Sequence, residues 1–127
     1  MSIQVEHLTK RYDGVPVVDD VSLRIATGEL FVLLGPSGSG KSTLLRMIAG
    51  LTEIDEGRVL LQDRDITGTA PKDRRIGFVF QHYALFRHMR VAENIEFALS
   101  VKKAPPAVRR ERRDELLRLV GLMGFSR

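Results

Sequence analysis

The chain has 127 residues, a formal net charge of +4, 43% hydrophobic and 6% aromatic residues, and no cysteine. That is the size and composition of one ordinary globular domain, without a disulfide scaffold or a thiolate metal site. The longest unbroken apolar run, residues 30–34, is far shorter than the roughly 20 residues a membrane-spanning helix needs, and the opening residues alternate charged with apolar, so neither a transmembrane segment nor a signal peptide is expected.

In chain order, 3–8 and 21–25 place apolar residues at nearly every second position, which predicts two half-buried strands with a turn at Asp13-Gly14 between them. Residues 30–34 (LFVLL) are continuously apolar and predict a strand buried on both faces, as in a parallel sheet. A glycine-rich loop follows at once. Residues 42–49 then carry helical patterning (Leu44, Leu45, Ile48) that stops at Gly50, a residue suited to a helix C-terminus. Another strand is predicted over 58–62, closed by a polar Asp63-Arg64-Asp65 turn, and a charged connector over 71–75 leads to a strand over 76–80. A loop begins at Gln81. Ala92, Ile95 and Leu99 share one face of a helix over 91–99, and Pro105-Pro106 separates it from a last helix. That last segment, 102–118, holds seven Lys/Arg against three acids and so carries the whole net charge. Val108, Leu116, Leu119 and Met123 recur at helical spacing beside those charges, the pattern of an amphipathic helix with a solvated basic face; no nucleic acid partner is expected.

Gly35-Pro36-Ser37-Gly38-Ser39-Gly40-Lys41-Ser42-Thr43 matches G-x-x-x-x-G-K-[ST] and sits between a predicted strand and a predicted helix, the context the motif requires. Its chemistry follows from its residue types. The glycines let the backbone curl until successive N–H groups point inward, and the first helical turn adds the positive end of its dipole. Lys41 is a mobile charge able to reach β- and γ-phosphates, Ser42 offers a hydroxyl to Mg²⁺, and Thr43 can contact the α-phosphate. The motif predicts a nucleoside triphosphate site without choosing among ATPases, GTPases and kinases.

Tyr12 lies ahead of this loop, and Gln81 follows it at the end of a predicted strand within Val79-Phe80-Gln81-His82-Tyr83-Ala84-Leu85-Phe86. With the loop, this text resembles the ABC ATPase subunits of bacterial importers along the whole chain. The resemblance implies ATP with Mg²⁺ as ligands, Tyr12 stacked on adenine, Val18 packed nearby, and Gln81 reaching the metal and the attacking water. It also implies membrane permease subunits docked on the 81–88 loop, with Phe86, Arg87 and His88 in contact. A second ATPase subunit and a place on the cytoplasmic face of the membrane follow from the same likeness. The run from Gln81 to Met89, with Arg87 where most relatives have proline, is most similar to sulfate/thiosulfate importer ATPases. Three positions depart from the usual pattern: Arg90 for a threonine that would cap the next helix, Ala98 for a glycine, and Asp63 for a turn glycine, which aspartate can replace. His82 and His88 are spaced wrongly for a helical metal pair.

The fold expected is an α/β P-loop NTPase of the ABC ATPase type, incomplete. An antiparallel β region and part of a parallel core sheet occupy 1–80, and the start of a helical subdomain occupies 81–127. An LSGGQ-type signature, an apolar strand ending in Asp-Glu and a switch histidine come later in that family than Arg127, so the stretch is expected to bind Mg·ATP without turning it over efficiently. A non-hydrolysing ATP-binding regulator and an importer subunit for another solute are the alternatives. A DNA-repair ABC protein is disfavoured, because cysteines for zinc and a heptad array are both missing from the sequence.

Overall fold

The structure is a computed structural model that describes residues 1–82 and 84–125. It divides into two compact units, Met1–Val79 and Phe80–Arg127.

The first unit is built on an antiparallel sheet of order β2-β1-β3-β4, with β1 at Ile3–Tyr12, β2 at Val15–Ile25, β3 at Glu56–Leu61 and β4 at Arg64–Asp65. Asp13 and Gly14, both at positive φ (50° and 79°), make the two-residue turn between β1 and β2, a twist that matches the flanking strands. Gln62 and Asp63 (φ 51° and 61°) do the same between β3 and β4. Asp63 therefore adopts the left-handed conformation expected of its position, while Arg64 and Asp65 belong to a short strand and not to the turn. Register runs from Ile3 opposite Ile25 and Leu61 to Tyr12 opposite Val15, with irregularities after Val5 where His7 (φ 50°) and Asp20 (φ 49°) bulge. The bulge shifts the alternation, so that Val5, Leu8 and Thr9 are all buried.

Helix α1, Lys41–Ala49, packs its Leu44, Met47 and Ile48 with Val5, Leu8, Val18, Val59 and Ile66 in the core. The inward face thus includes Met47 and leaves Leu45 exposed, a rotation from the expected Leu44, Leu45, Ile48 stripe. Gly50 closes the helix at φ 78°, its N–H bonding the Met47 carbonyl.

Among the described residues the expected parallel core sheet does not form. Neither 30–34 nor 76–80 is a strand of the sheet, and the run that reads as doubly buried is open to solvent: Leu30 is 90% and Leu34 89% exposed, and Val79 is 95% exposed. Such segments become strands only when hydrogen-bonded neighbours flank both edges and layers cover both faces. The sheet that is present joins two hairpins through the antiparallel β1–β3 pairing and takes up neither segment. Leu33 and Ile76 from these runs pack against the core.

In the second unit, α2 (Val91–Val101) and α3 (Pro106–Leu119) are joined through the two prolines, with Pro106 at the first helical position where its missing N–H costs nothing. Ala92 is buried and Ile95 and Leu99 half-buried, as their spacing predicts. On α3 the buried residue is Leu117; Val108 and Leu119 of the expected stripe are exposed. The basic face is partly tied down: Arg113 pairs with Glu96 of α2 at 2.9 Å and with Asp114 at 2.8 Å, and Arg112 with Glu115. Among the described residues no helix is long and apolar enough to cross a membrane.

Candidate functional site

Residues 35–40 join the exposed 30–34 run to α1. Ser37 and Gly38 make a turn, the Ser39 N–H reaches back to the Pro36 carbonyl (3.3 Å), and Gly40 enters the helix at φ 86°. That conformation suits glycine, and a second constraint makes the residue obligatory: a Cβ there would overlap the carbonyl oxygen of Val17 on β2. The loop's end is thereby pressed onto the strand beneath it.

The Lys41 ammonium folds back over the loop and donates to Gly35 O (2.7 Å), Pro36 O (2.6 Å) and Ser39 Oγ (2.9 Å). These use all three of its donors and hold the loop curled. Gly40 offers no side chain to cap α1, and its first turn has no carboxylate. The amides of that turn are left for an external anion, and the helix dipole favours one. Ser42 is exposed and Thr43 half-buried in the same turn. Beneath the loop lies a cavity of about 380 Å³ lined by Val17, Val18, Asp19, Val21, Leu33, Leu34, Gly35, Pro36, Ser39, Gly40, Lys41 and Leu44. A triphosphate with a hard cation fits this donor set: amides and an ammonium for phosphate oxygens, and the Ser42 hydroxyl as an oxygen ligand for Mg²⁺.

Val18 is buried in the core while also bordering that cavity. Tyr12, at the end of β1, is 49% exposed, with the Lys10 ammonium 5.5 Å from its ring centroid. Asp55 fixes this arrangement by accepting from Lys10 Nζ (2.8 Å) and the Arg11 N–H (2.6 Å). Both bonds hold the Asp55 carboxyl below the usual range, the Lys10 bond foremost, and the same contact raises the Lys10 pKa. Sequence reasoning missed Lys10 and Asp55, whose partnership spans β1 and the approach to β3.

Gln81 belongs to the second unit, in an exposed bend with His82; Tyr83, quoted in the family likeness, lies outside the described residues. Beyond it, the Phe86 ring packs tilted on Phe97 of α2, centroids 4.4 Å apart, and meets His88 edge-on at 6.1 Å, and Arg87 is exposed. The missing threonine at position 90 has a visible substitute. Arginine has no acceptor, so only the Glu93 half of a capping box forms, with Oε2 accepting from Arg90 N (2.7 Å). Asn94 supplies the rest: Oδ1 accepts from Phe86 N (2.9 Å) and Nδ2 donates to Phe86, Met89 and Arg90 carbonyls at 3.0–3.2 Å. The signal was an asparagine inside a predicted helix, a residue type that competes locally for backbone bonds. Among the described residues no group of three or more His, Cys, Asp and Glu is placed to hold a metal ion.

The family model described as ABC transporter matches residues 18–127. The chain is similar to the sulfate/thiosulfate import ATP-binding protein CysA of Nocardia farcinica, 54% identical over 124 residues that cover 98% of this chain and 38% of that protein. It is also similar to CysA of Synechococcus elongatus (52% over 126 residues, 99% and 37%) and to CysA 1 of Agrobacterium fabrum (50% over 131 residues, 100% and 38%). The chain thus spans somewhat over a third of the length of these relatives.

Proposed function

As a member of the ABC transporter family, this chain, we propose, binds Mg·ATP at the 35–43 loop and serves as part of an ATP-binding subunit that drives sulfate or thiosulfate import. The observation that carries the reading is the Lys41 ammonium curled over an uncapped helix N-terminus, an arrangement made for phosphate oxygens. Exchanging the loop carbonyls for β- and γ-phosphate oxygens trades neutral acceptors for charged ones, which strengthens each Lys41 bond. Ser42 is the residue for Mg²⁺, and the exposed face of Tyr12, backed by Lys10, is the surface for the adenine ring. Gln81 is assigned to the metal and the attacking water. A permease subunit is assigned to the 81–88 loop, on the cytoplasmic face of a membrane, with a second ATPase subunit completing the site.

The solute rests on the printed names of relatives at 50–54% identity and on the Arg87-containing loop that resembles theirs. The groups assigned within residues 1–127 hold the nucleotide and metal and, in Gln81, orient the attacking water, but none is a carboxylate base, so binding and turnover should separate. Calorimetric titration of Mg·ATP alongside phosphate release tests that: saturable binding weakened by Tyr12→Ala, with release near the buffer background, is expected. Steady hydrolysis at enzymatic rates by residues 1–127 would contradict it. For the solute, disrupting the gene should reduce uptake of labelled sulfate or thiosulfate; unchanged uptake of both would overturn that assignment.

A further inference from the structure

Arg74 is 4% exposed, yet it carries a charge that no carboxylate among the described residues faces. Burial alone pushes its pKa down from the ordinary value. An unpaired buried cation is costly unless its donors are met, and here backbone carbonyls meet them. Nη1 donates to Met47 O (3.0 Å) and Ile48 O (2.9 Å), at the negative end of α1. The other edge of the fork turns to the β4 side: Nε donates to Thr69 O and Nη2 to Thr67 O, each at 2.8 Å. Thr67 is itself anchored, since its Oγ1 accepts from Val59 N of β3 (3.0 Å) and donates to Asp65 (2.6 Å). The guanidinium therefore rivets the end of α1 to the sheet. Gly50 leaves the space for it, because a Cβ there would lie 2.5 Å from Nε.

The opposite end of the same helix is pressed on Val17 by Gly40 and begins with Lys41. A helix of nine residues is a rod about 13.5 Å long, and it passes an axial shift at one end to the other. We propose that Arg74 is a positioning residue for the nucleotide site: by fixing α1 along its axis against β3 and β4, it sets where the phosphate loop and Lys41 stand. The inference rests on the reading of 35–43 as a phosphate site. Lysine could not serve, because a point charge with three donors cannot span carbonyls on two sides as the planar fork does.

The test combines hydrogen exchange and ATP titration on Arg74→Met and Arg74→Lys. Lysine keeps the cation at the helix end and so protects the fold should the methionine variant fail to assemble. The expected result for Arg74→Lys is a native far-ultraviolet spectrum, faster exchange at 35–43 as well as at 46–51 and 67–74, and ATP affinity lower by on the order of 10-fold, the size of loss seen when a group that orients binding residues is removed. Faster exchange confined to 46–51 and 67–74, with 35–43 and affinity unchanged, would overturn the proposal and leave Arg74 a local cap. If the parent chain itself bound no ATP, the nucleotide reading would fail, and the exchange pattern at 35–43 would still decide whether Arg74 positions the loop.

Discussion

The carbonyl oxygen of Val17 occupies the space in which a side chain at Gly40 would begin. Strand β2 and the first turn of α1 approach each other closely here, and the entry angle of the helix depends on that contact. Gly40→Ala would force the two apart and would also place alanine at φ 86°, a conformation it rarely adopts. ATP binding should be lost and the thermal midpoint lowered, while Gly38→Ala, at similar φ but facing open space, should be milder in both. Equal effects for the two substitutions would mean that backbone strain alone, and not the Val17 contact, governs the loop.

Asn94 gathers the 86–90 loop with one side chain, and its removal should release that loop without unfolding α2. Hydrogen bonds of this kind contribute about 0.5–1.5 kcal/mol each, so Asn94→Ala should open the loop measurably. Trypsin is a suitable probe, because Arg87 and Arg90 lie within the segment that Asn94 holds. Cleavage at these arginines should accelerate several-fold in Asn94→Ala; an unchanged rate would show that the Phe86–Phe97 contact suffices.

Two carboxylates make the first unit sensitive to acid. Asp55 is held low by the Lys10 side chain and then the Arg11 amide, and Asp65 by the Thr67 hydroxyl and then its amide. A carboxyl whose folded pKa lies below its unfolded value stabilises fully above the unfolded value, near 3.9, and that contribution is lost as pH falls through the folded one. Stability should therefore hold through neutral pH and decline below about pH 4. Both groups are solvent-exposed in part, so the effect should also shrink with salt. The Asp55→Asn, Asp65→Asn double variant should flatten the acid limb of a urea-unfolding series; a limb of unchanged steepness would assign it to other carboxylates.

What the sequence made legible was local. The phosphate motif fixes its residues by spacing, Asp13-Gly14 fixes a turn by its own conformational preferences, and Gly50 ends a helix in the same way. Residues 30–34 have the pattern of a buried strand yet stand exposed, because that state depends on neighbours far along the chain, which no window of apolar residues reveals. Arg74 was equally hidden. Its partners are carbonyls up to 27 residues distant, and carbonyls belong to every residue type, so a basic residue in a charged connector gave no sign of burial. The roles of Tyr12 and Gln81 came from family likeness and not from their surroundings.

The central claim is that the Lys41 ammonium, held by Gly35, Pro36 and Ser39, is poised to exchange those oxygens for phosphate. Calorimetric titration of Mg·ATP into the parent chain and into Lys41→Ala tests it most directly. Hydrogen bonds to charged groups contribute about 1.5–3 kcal/mol, so the variant should bind roughly 10- to 100-fold more weakly than a saturable parent. Identical isotherms for two folded proteins, whether both bind or neither does, would contradict the account.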